Sequence, residues 1–172
     1  MSTSVVTTSR AKPPAMPVIG ENIPADLRDC PQWVVWNWHW NGKKWDKPPL
    51  SVHTRRKCSK TDPKSWCTFE AALAAHQAGR FDGVGFCFTV SDPFAAVDLD
   101  RCRDPATSEI ADWAQWIIEA LGSYAEVSPS GCDIKIFVRG KLQLGNHGDK
   151  GCGVEMYDRD WYFTVTGHVL TW

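Results

Sequence analysis

The stretch Ala95-Ala96-Val97-Asp98-Leu99-Asp100 constrains the fold more than any other part of the chain. It is an apolar run that ends on two carboxylates spaced two residues apart. Side chains alternate faces along a strand, so Asp98 and Asp100 share one face, with Cα atoms about 6.6 Å apart, and Val97 and Leu99 point into a core. Two like charges on one face ionise together only when something positive lies between them. Hard divalent cations meet that need, because Mg²⁺ takes one or two carboxylates together with waters and nucleotide phosphates. The motif therefore points to metal-dependent phosphoryl or nucleotidyl transfer. Taken alone, Asp-x-Asp is equally the mark of a solvated strand end, and the rest of the chain has to decide.

The chain has 172 residues, 43% hydrophobic and 23% charged, which fits one soluble globular domain with a real core. No apolar run approaches the ~20 residues of a membrane span, and the N-terminus lacks the apolar region of a secretory signal. Seven cysteines are scattered without a Cys-x-x-Cys pair. Free thiols in a reducing cytoplasm are the expectation. A zinc site built from Cys102, Cys132 and Cys152 would lack the close ligand pairs that such sites use. The net charge is −1, so this is not a globally basic nucleic-acid binder. Charge is uneven, however: residues 40–66 carry eight Lys and Arg against Asp46 and Asp62. Such a patch can hold a phosphate backbone or a triphosphate, or form a solvated loop.

Residues 1–22 are rich in Ser, Thr, Pro and Lys and are expected to be a disordered leader, with one domain over 23–172. Pro24 to Asp29 predicts a short helix. Gln32 to Trp40 alternates, with Val34, Trp36, Trp38 and Trp40 on one face. Asn41-Gly42 is a hairpin signal, with a return strand over 43–47. The Trp stripe is a candidate base-stacking platform, but half-buried core is the commoner use of such a stripe. Pro48 to Pro63 is expected as a basic loop. Thr68 caps a helix to about Ala78, followed by Gly79. Strands are expected over 83–89 and 94–100, and a helix from Ser108 or Glu109 to Leu121. The helix carries Ile110, Trp113, Ala114, Ile117 and Leu121 as its apolar face and is closed by Gly122. Further strands are expected over 124–128, 134–139, 153–157 and 162–166, with a loop over 140–152. The pattern implies an α+β fold with helices packed on one face of the sheet and polar chemistry on the other.

Three segments supply polar groups to that open face. Asp98 and Asp100 are the first. The second is the Ser128-Pro129-Ser130-Gly131 turn and the strand after it, whose parity puts Ile134, Ile136 and Val138 in the core and Lys135, Phe137 and Arg139 on the other side. The turn offers hydroxyls and backbone N–H groups for phosphate. The third is Glu155, flanked by the core residues Val154 and Met156. Three carboxylates on adjacent strands can hold two metal ions that clamp the attacking and leaving oxygens of a phosphoryl displacement, with Lys135 balancing triphosphate charge.

The segments IPADLRDCPQWVVW, KPP, KCSKTDPKSWCTFEAALAA, GVGFCFTVSDPFAAVDLD, SYAEVSPSG and GVEMYDRDWYFTVTGH, in this order over residues 23–170, resemble the phage- and plasmid-type bifunctional DNA primase/polymerase domain of the archaeo-eukaryotic primase superfamily. The resemblance implies a palm-like, RNA-recognition-like mixed or antiparallel sheet. It implies template-directed addition of dNTPs to a 3′-OH, with Mg²⁺ or Mn²⁺ held by Asp98, Asp100 and Glu155. It places Ser128, Ser130, Gly131 and Lys135 on the nucleotide's phosphates, with Lys47, Lys57 and Ser59 as further nucleotide contacts. DNA template and primer are the implied partners, with dNTPs, or NTPs, as substrates. The setting it implies is cytoplasmic replication of a phage, plasmid or mobile element. The resemblance also implies a C-terminal helical or helicase region as a partner outside this chain, which is expected to be an N-terminal domain excised from a longer protein. Two residues depart from the family pattern: Lys135 stands where many members have His, and Asp133 where many have Gly. A catalytically weakened nucleotide-binding module is therefore the alternative. A rolling-circle nuclease is disfavoured because the five histidines form no His-x-His.

Overall fold

The computed structural model describes residues 11–149 and 151–171. In chain order the elements are α1 (Ala25–Arg28), β1 (Trp33–Trp36), β2 (His39–Trp40), β3 (Trp45–Asp46), β4 (Pro49–Leu50), α2 (Phe69–Gln77), β5 (Gly83–Phe88), β6 (Phe94–Leu99), α3 (Asp112–Leu121), β7 (Tyr124–Val127), β8 (Ile134–Arg139), β9 (His147–Asp149), β10 (Val154–Tyr157) and β11 (Trp161–Val165). The strands form a five-stranded sheet, β7-β8-β6-β10-β9, a four-stranded sheet, β11-β5-β1-β4, and the ribbon β2-β3. Every strand pairing is antiparallel. The fold is α+β, and among the described residues no helix is long and apolar enough to cross a membrane.

Local chemistry sets several boundaries. Thr68 accepts from the Ala71 N–H and starts α2, and Gly122 ends α3 in the left-handed conformation at φ 52°. Asn41 Oδ1 accepts from the N–H groups of Lys43 and Lys44, and Gly42 follows it at φ 98°, which closes the β2–β3 hairpin. The expected single strand over 32–40 breaks after Trp36. There the Trp36 indole turns inward to donate to Val84 O at 3.0 Å. Trp36 and Trp38 are buried, so the Trp stripe is core at those positions. The basic loop is also more structured than expected, since it contains β4 on the edge of the four-stranded sheet.

Two expectations are corrected. Helix α3 begins at Asp112 rather than at Ser108 or Glu109. Ser108 sits at φ 67°, and residues 104–111 bond back across the chain, Asp104 N to Glu109 O and Ala111 N to Cys102 O, so their donors are spent before a helix can form. Its buried face is Ala114 and Ile118, while Trp113 and Leu121 remain 40% exposed. The leader expected over 1–22 is packed on the domain from residue 11 on; residues 1–10 lie outside the described residues. Lys12 pairs with Asp82, Met16 and Val18 enter the two main cores, and Ile19 N donates to Thr166 O.

One core lies between the five-stranded sheet and α3, built from Val97, Leu99, Ala114, Ile118, Ile134 and Ile136. The larger core joins α1 and α2 to the four-stranded sheet and reaches the other face of the five-stranded sheet through Phe94, Ala96 and Phe137. The face expected to be open is therefore covered over its Phe137 half and free only at the end that carries Asp98. All seven cysteines are free thiols.

Where the N-terminal strap crosses β11, Gly167 sits at φ 73°, and a Cβ there would run into the carbonyl of Ile19. Gly167→Ala is expected to cost about 2 kcal/mol or more from left-handed strain and overlap. Thermal unfolding should show a melting point lower by at least about 4 °C.

Candidate active site

The antiparallel registers arrange the polar side chains in rows. Glu126 on β7 is opposite Lys135 on β8, Lys135 is opposite Asp98 on β6, and Asp98 is opposite Glu155 on β10. These four side chains lie on one face because their strands are in phase. The neighbouring row on the same face is Tyr124, Phe137, Ala96 and Tyr157, which is packed into or against the larger core. The next row outward holds Ser128, Asp133 and Asp100, tied by Ser128 N to Asp133 O and by Asp100 N to Gly153 O. Asp100 lies one residue past the end of β6, in the turn, and still keeps the phase of Asp98.

Lys135 is the centre of the site. Its Nζ lies 2.7 Å from Asp98 Oδ2 and 4.3 Å from the centre of the Phe163 ring, and its side chain is only 9% exposed. Asp98 Oδ1 is buried and has no hydrogen-bond partner among the described residues. A buried carboxylate oxygen left unpaired is costly unless a cation or water completes it. Glu155 Oε2 accepts from the Tyr157 hydroxyl at 2.8 Å. The Asp100 carboxyl is pushed up by burial, then by the charges of Asp98, Asp133 and Glu155, against the pull of Lys135. The carboxylates thus crowd one another. Among the described residues no three His, Cys, Asp or Glu side chains are already arranged as a metal-binding group.

Asp133 does not pair with Lys135. Its Oδ2 accepts from the hydroxyls of Ser128 at 3.0 Å and Ser130 at 2.7 Å, and its Oδ1 accepts from Arg101 N at 2.9 Å. Burial raises its pKa, but these bonds and the charge of Lys135 outweigh burial and hold it below the usual carboxylate range. Both hydroxyls of the expected phosphate cradle are therefore committed to Asp133, and Gly131 N is bonded to Ser128 O. Lys47 does reach the site's field. Burial pushes its ammonium pKa down, as does the charge of Lys135, while Asp133, Asp46 and Asp98 oppose the shift. It rests 4.5 Å above the Trp38 ring. Lys57 and Ser59 lie on the β4 side of the other sheet, with Lys57 bridged to Leu50 and Ser59 bonded to Thr61. No hydrogen bond or ion pair joins them to the carboxylate row.

The chain is similar to a DNA primase-polymerase of Nitratiruptor phage NrS-1, with 35% identity over 144 residues that cover 81% of this chain. It carries a primase-polymerase-type domain. The chain spans 19% of the length of that phage protein. No protein-family model matches it.

Sequence reasoning on the primase-polymerase domain missed Glu126. The residue is fully buried and accepts from Thr166 N and Gly167 N, each at 2.9 Å, and from the Tyr124 hydroxyl at 2.6 Å. The signal was present: Glu126 precedes Ser128 by two, the same spacing that links Asp98 to Asp100. It also missed Phe163 and Tyr157, whose roles depend on which strands become neighbours.

Burial pushes the Glu126 carboxyl up to about 7, against its hydrogen bonds and Lys135. The folded state then holds a proton that the unfolded chain releases near its ordinary value of 4.5. The contribution of this group to stability therefore falls as pH rises through the interval from about 4.5 to 7. In urea unfolding, the wild-type midpoint is expected to decline between pH 5 and 8 relative to Glu126→Gln, which cannot titrate. A constant difference would show that Glu126 is ionised throughout.

Proposed function

We propose that this domain is a metal-dependent nucleotidyltransferase that extends a 3′-OH with dNTPs on a DNA template. The observation that carries the reading is the Asp98 carboxylate, flanked in register by Lys135 and Glu155, with one oxygen buried and unpartnered. An all-oxygen donor set of Asp98, Asp100 and Glu155 suits Mg²⁺ or Mn²⁺. A divalent ion bound there supplies charge neutralisation for the attacking 3′-oxygen and the triphosphate.

The chain's own residues do the remaining work. Lys135, held against Phe163, gives the triphosphate a cation at a fixed place, and Lys47 adds a second from the ribbon side. Lys is a point charge rather than a titrating imidazole at neutral pH, so in this position it binds and orients phosphate rather than shuttling a proton. Ser128 and Ser130 reach phosphate only by exchanging their bonds to Asp133. The exposed lysines and arginines over 43–64 supply sequence-independent attraction for nucleic acid.

In primer extension with Mg²⁺, and separately with Mn²⁺, Asp98→Ala/Asp100→Ala is expected to reduce incorporation by roughly a hundredfold or more with the fold intact by thermal melting. Undiminished template-dependent incorporation by the double variant would sink the reading.

A second reading is favoured by one observation: Lys135 and both turn hydroxyls are tied up by Asp98 and Asp133. A domain locked in this way would bind nucleotide or nucleic acid without turnover. Lys135→His/Asp133→Gly separates the two readings. The polymerase reading expects only a modest change in rate, whereas the binding-module reading expects incorporation to appear where the wild type has none.

A further inference from the structure

Trp161 opens β11, the edge strand of the four-stranded sheet, and remains 36% exposed. Its ring stacks on Tyr157 with centroids 4.7 Å apart and planes 8° from parallel, the flattest ring pair among the described residues. Most of the other pairs are edge-to-face, the ordinary packing of a core. Tyr157 in turn donates to Glu155 Oε2 at 2.8 Å, so the stack is anchored to the carboxylate row. Over the Trp161 ring, 3.4 Å from its centre, sits Lys60 Nζ from the basic segment. Burial pushes the Lys60 ammonium pKa down, and Lys57 is near enough to lower it further. Among the described residues no carboxylate forms an ion pair with Lys60, and the charge of Asp160, next to Trp161, acts on it only from farther away. A flat aromatic pair beside the reacting groups, capped by a cation that no carboxylate contacts directly, matches the chemistry of an unpaired nucleotide: a π-face for the base and an ammonium for its phosphate.

We propose that Trp161 and Lys60 form a contact for one unpaired nucleotide of the template strand. The proposal rests on the nucleotidyl-transfer reading above. The base stacks on Trp161 with Tyr157 as backing, and Lys60 leaves the ring for the adjacent phosphate. Magnitudes favour the exchange. A base on an aromatic side chain strengthens binding by roughly 5- to 150-fold, while a cation–π contact is worth about 2- to 30-fold between exposed and desolvated, and Lys60 regains a partner in the phosphate.

The test is fluorescence anisotropy with labelled oligonucleotides: single-stranded DNA, single-stranded RNA, duplex DNA, and a DNA strand with abasic positions. Trp161→Ala is expected to weaken single-strand binding about tenfold, with Trp161→Phe retaining most of the affinity. The loss should vanish on the abasic strand and be absent on duplex. Trp161→Leu keeps apolar volume without a π-face, so it should behave like Trp161→Ala even if the alanine variant is too unstable to assay. Lys60→Ala should reduce the slope of log affinity against log salt by about 0.7, the value for one single-strand phosphate. Trp116→Ala, on the exposed side of α3, should bind as wild type. If Trp161→Leu binds single strands as well as the wild type does, or loses equally on abasic or duplex DNA, the proposal is overturned and the polymerase reading stands. If the wild-type chain binds no single strand at all, both fall together.

Discussion

The ion pair between Lys135 and Asp98 is the interaction around which the candidate site is built. Both groups are largely withdrawn from water, and desolvation of such a pair is repaid only when the geometry is tight and further partners are present. The 2.7 Å separation meets the first condition, and the Phe163 ring beneath the ammonium helps meet the second. Removing one member of a buried pair typically costs about 3–5 kcal/mol, because the other is left without compensation. Asp98 is thus bound in two senses: one oxygen holds the lysine, and the other is kept dry with nothing to hold. An arrangement of this kind favours any ligand that brings positive charge to the second oxygen.

The rows follow from the period of two. In four antiparallel strands in register, a residue's place is fixed by its strand and its parity. The row of Phe137 and Ala96 is packed by the second sheet, and the row of Lys135 and Asp98 is where that packing ends. The chemistry lies at the rim of the larger core, where burial is deep enough to strengthen charge interactions and an open side still admits substrate.

Much of this was legible in the sequence, and for particular reasons. The alternation in Ala95–Asp100 and in Ile134–Arg139 predicted which side chains face the core, and the Thr68 and Gly122 signals marked helix ends correctly. Asp98 and Glu155 share a face by register, and the similarity to a phage primase-polymerase agrees with the resemblance carried by the motifs. What sequence did not supply were facts of tertiary pairing. Asp133 showed in the sequence only as a departure from the family pattern, and the turn folds its carboxylate onto Ser128 and Ser130. Phe137 was placed on an open face because a second sheet covering it leaves no trace in β8 itself. The early start expected for α3 failed because Ser108 turns into the left-handed region and residues 110–111 pair back with Cys102 and Arg103. Lys47 lies within electrostatic reach of Lys135, Asp133 and Asp98, whereas Lys57 and Ser59 lie beside β4.

The turn over 158–160 joins β10, which carries Glu155, to β11, which carries Phe163. Asp158 within it is wholly buried and accepts from Leu142 N and the Arg159 side chain, while its own N–H donates to Asn146 and its carbonyl accepts from Lys141. The turn between the two sheets is thereby fastened to the loop after β8, and Lys141 carries the tie on to the Thr89 carbonyl just past β5. A joint of this kind resists sliding of one sheet over the other at that edge, which keeps the spacing of the carboxylate row and its lysine.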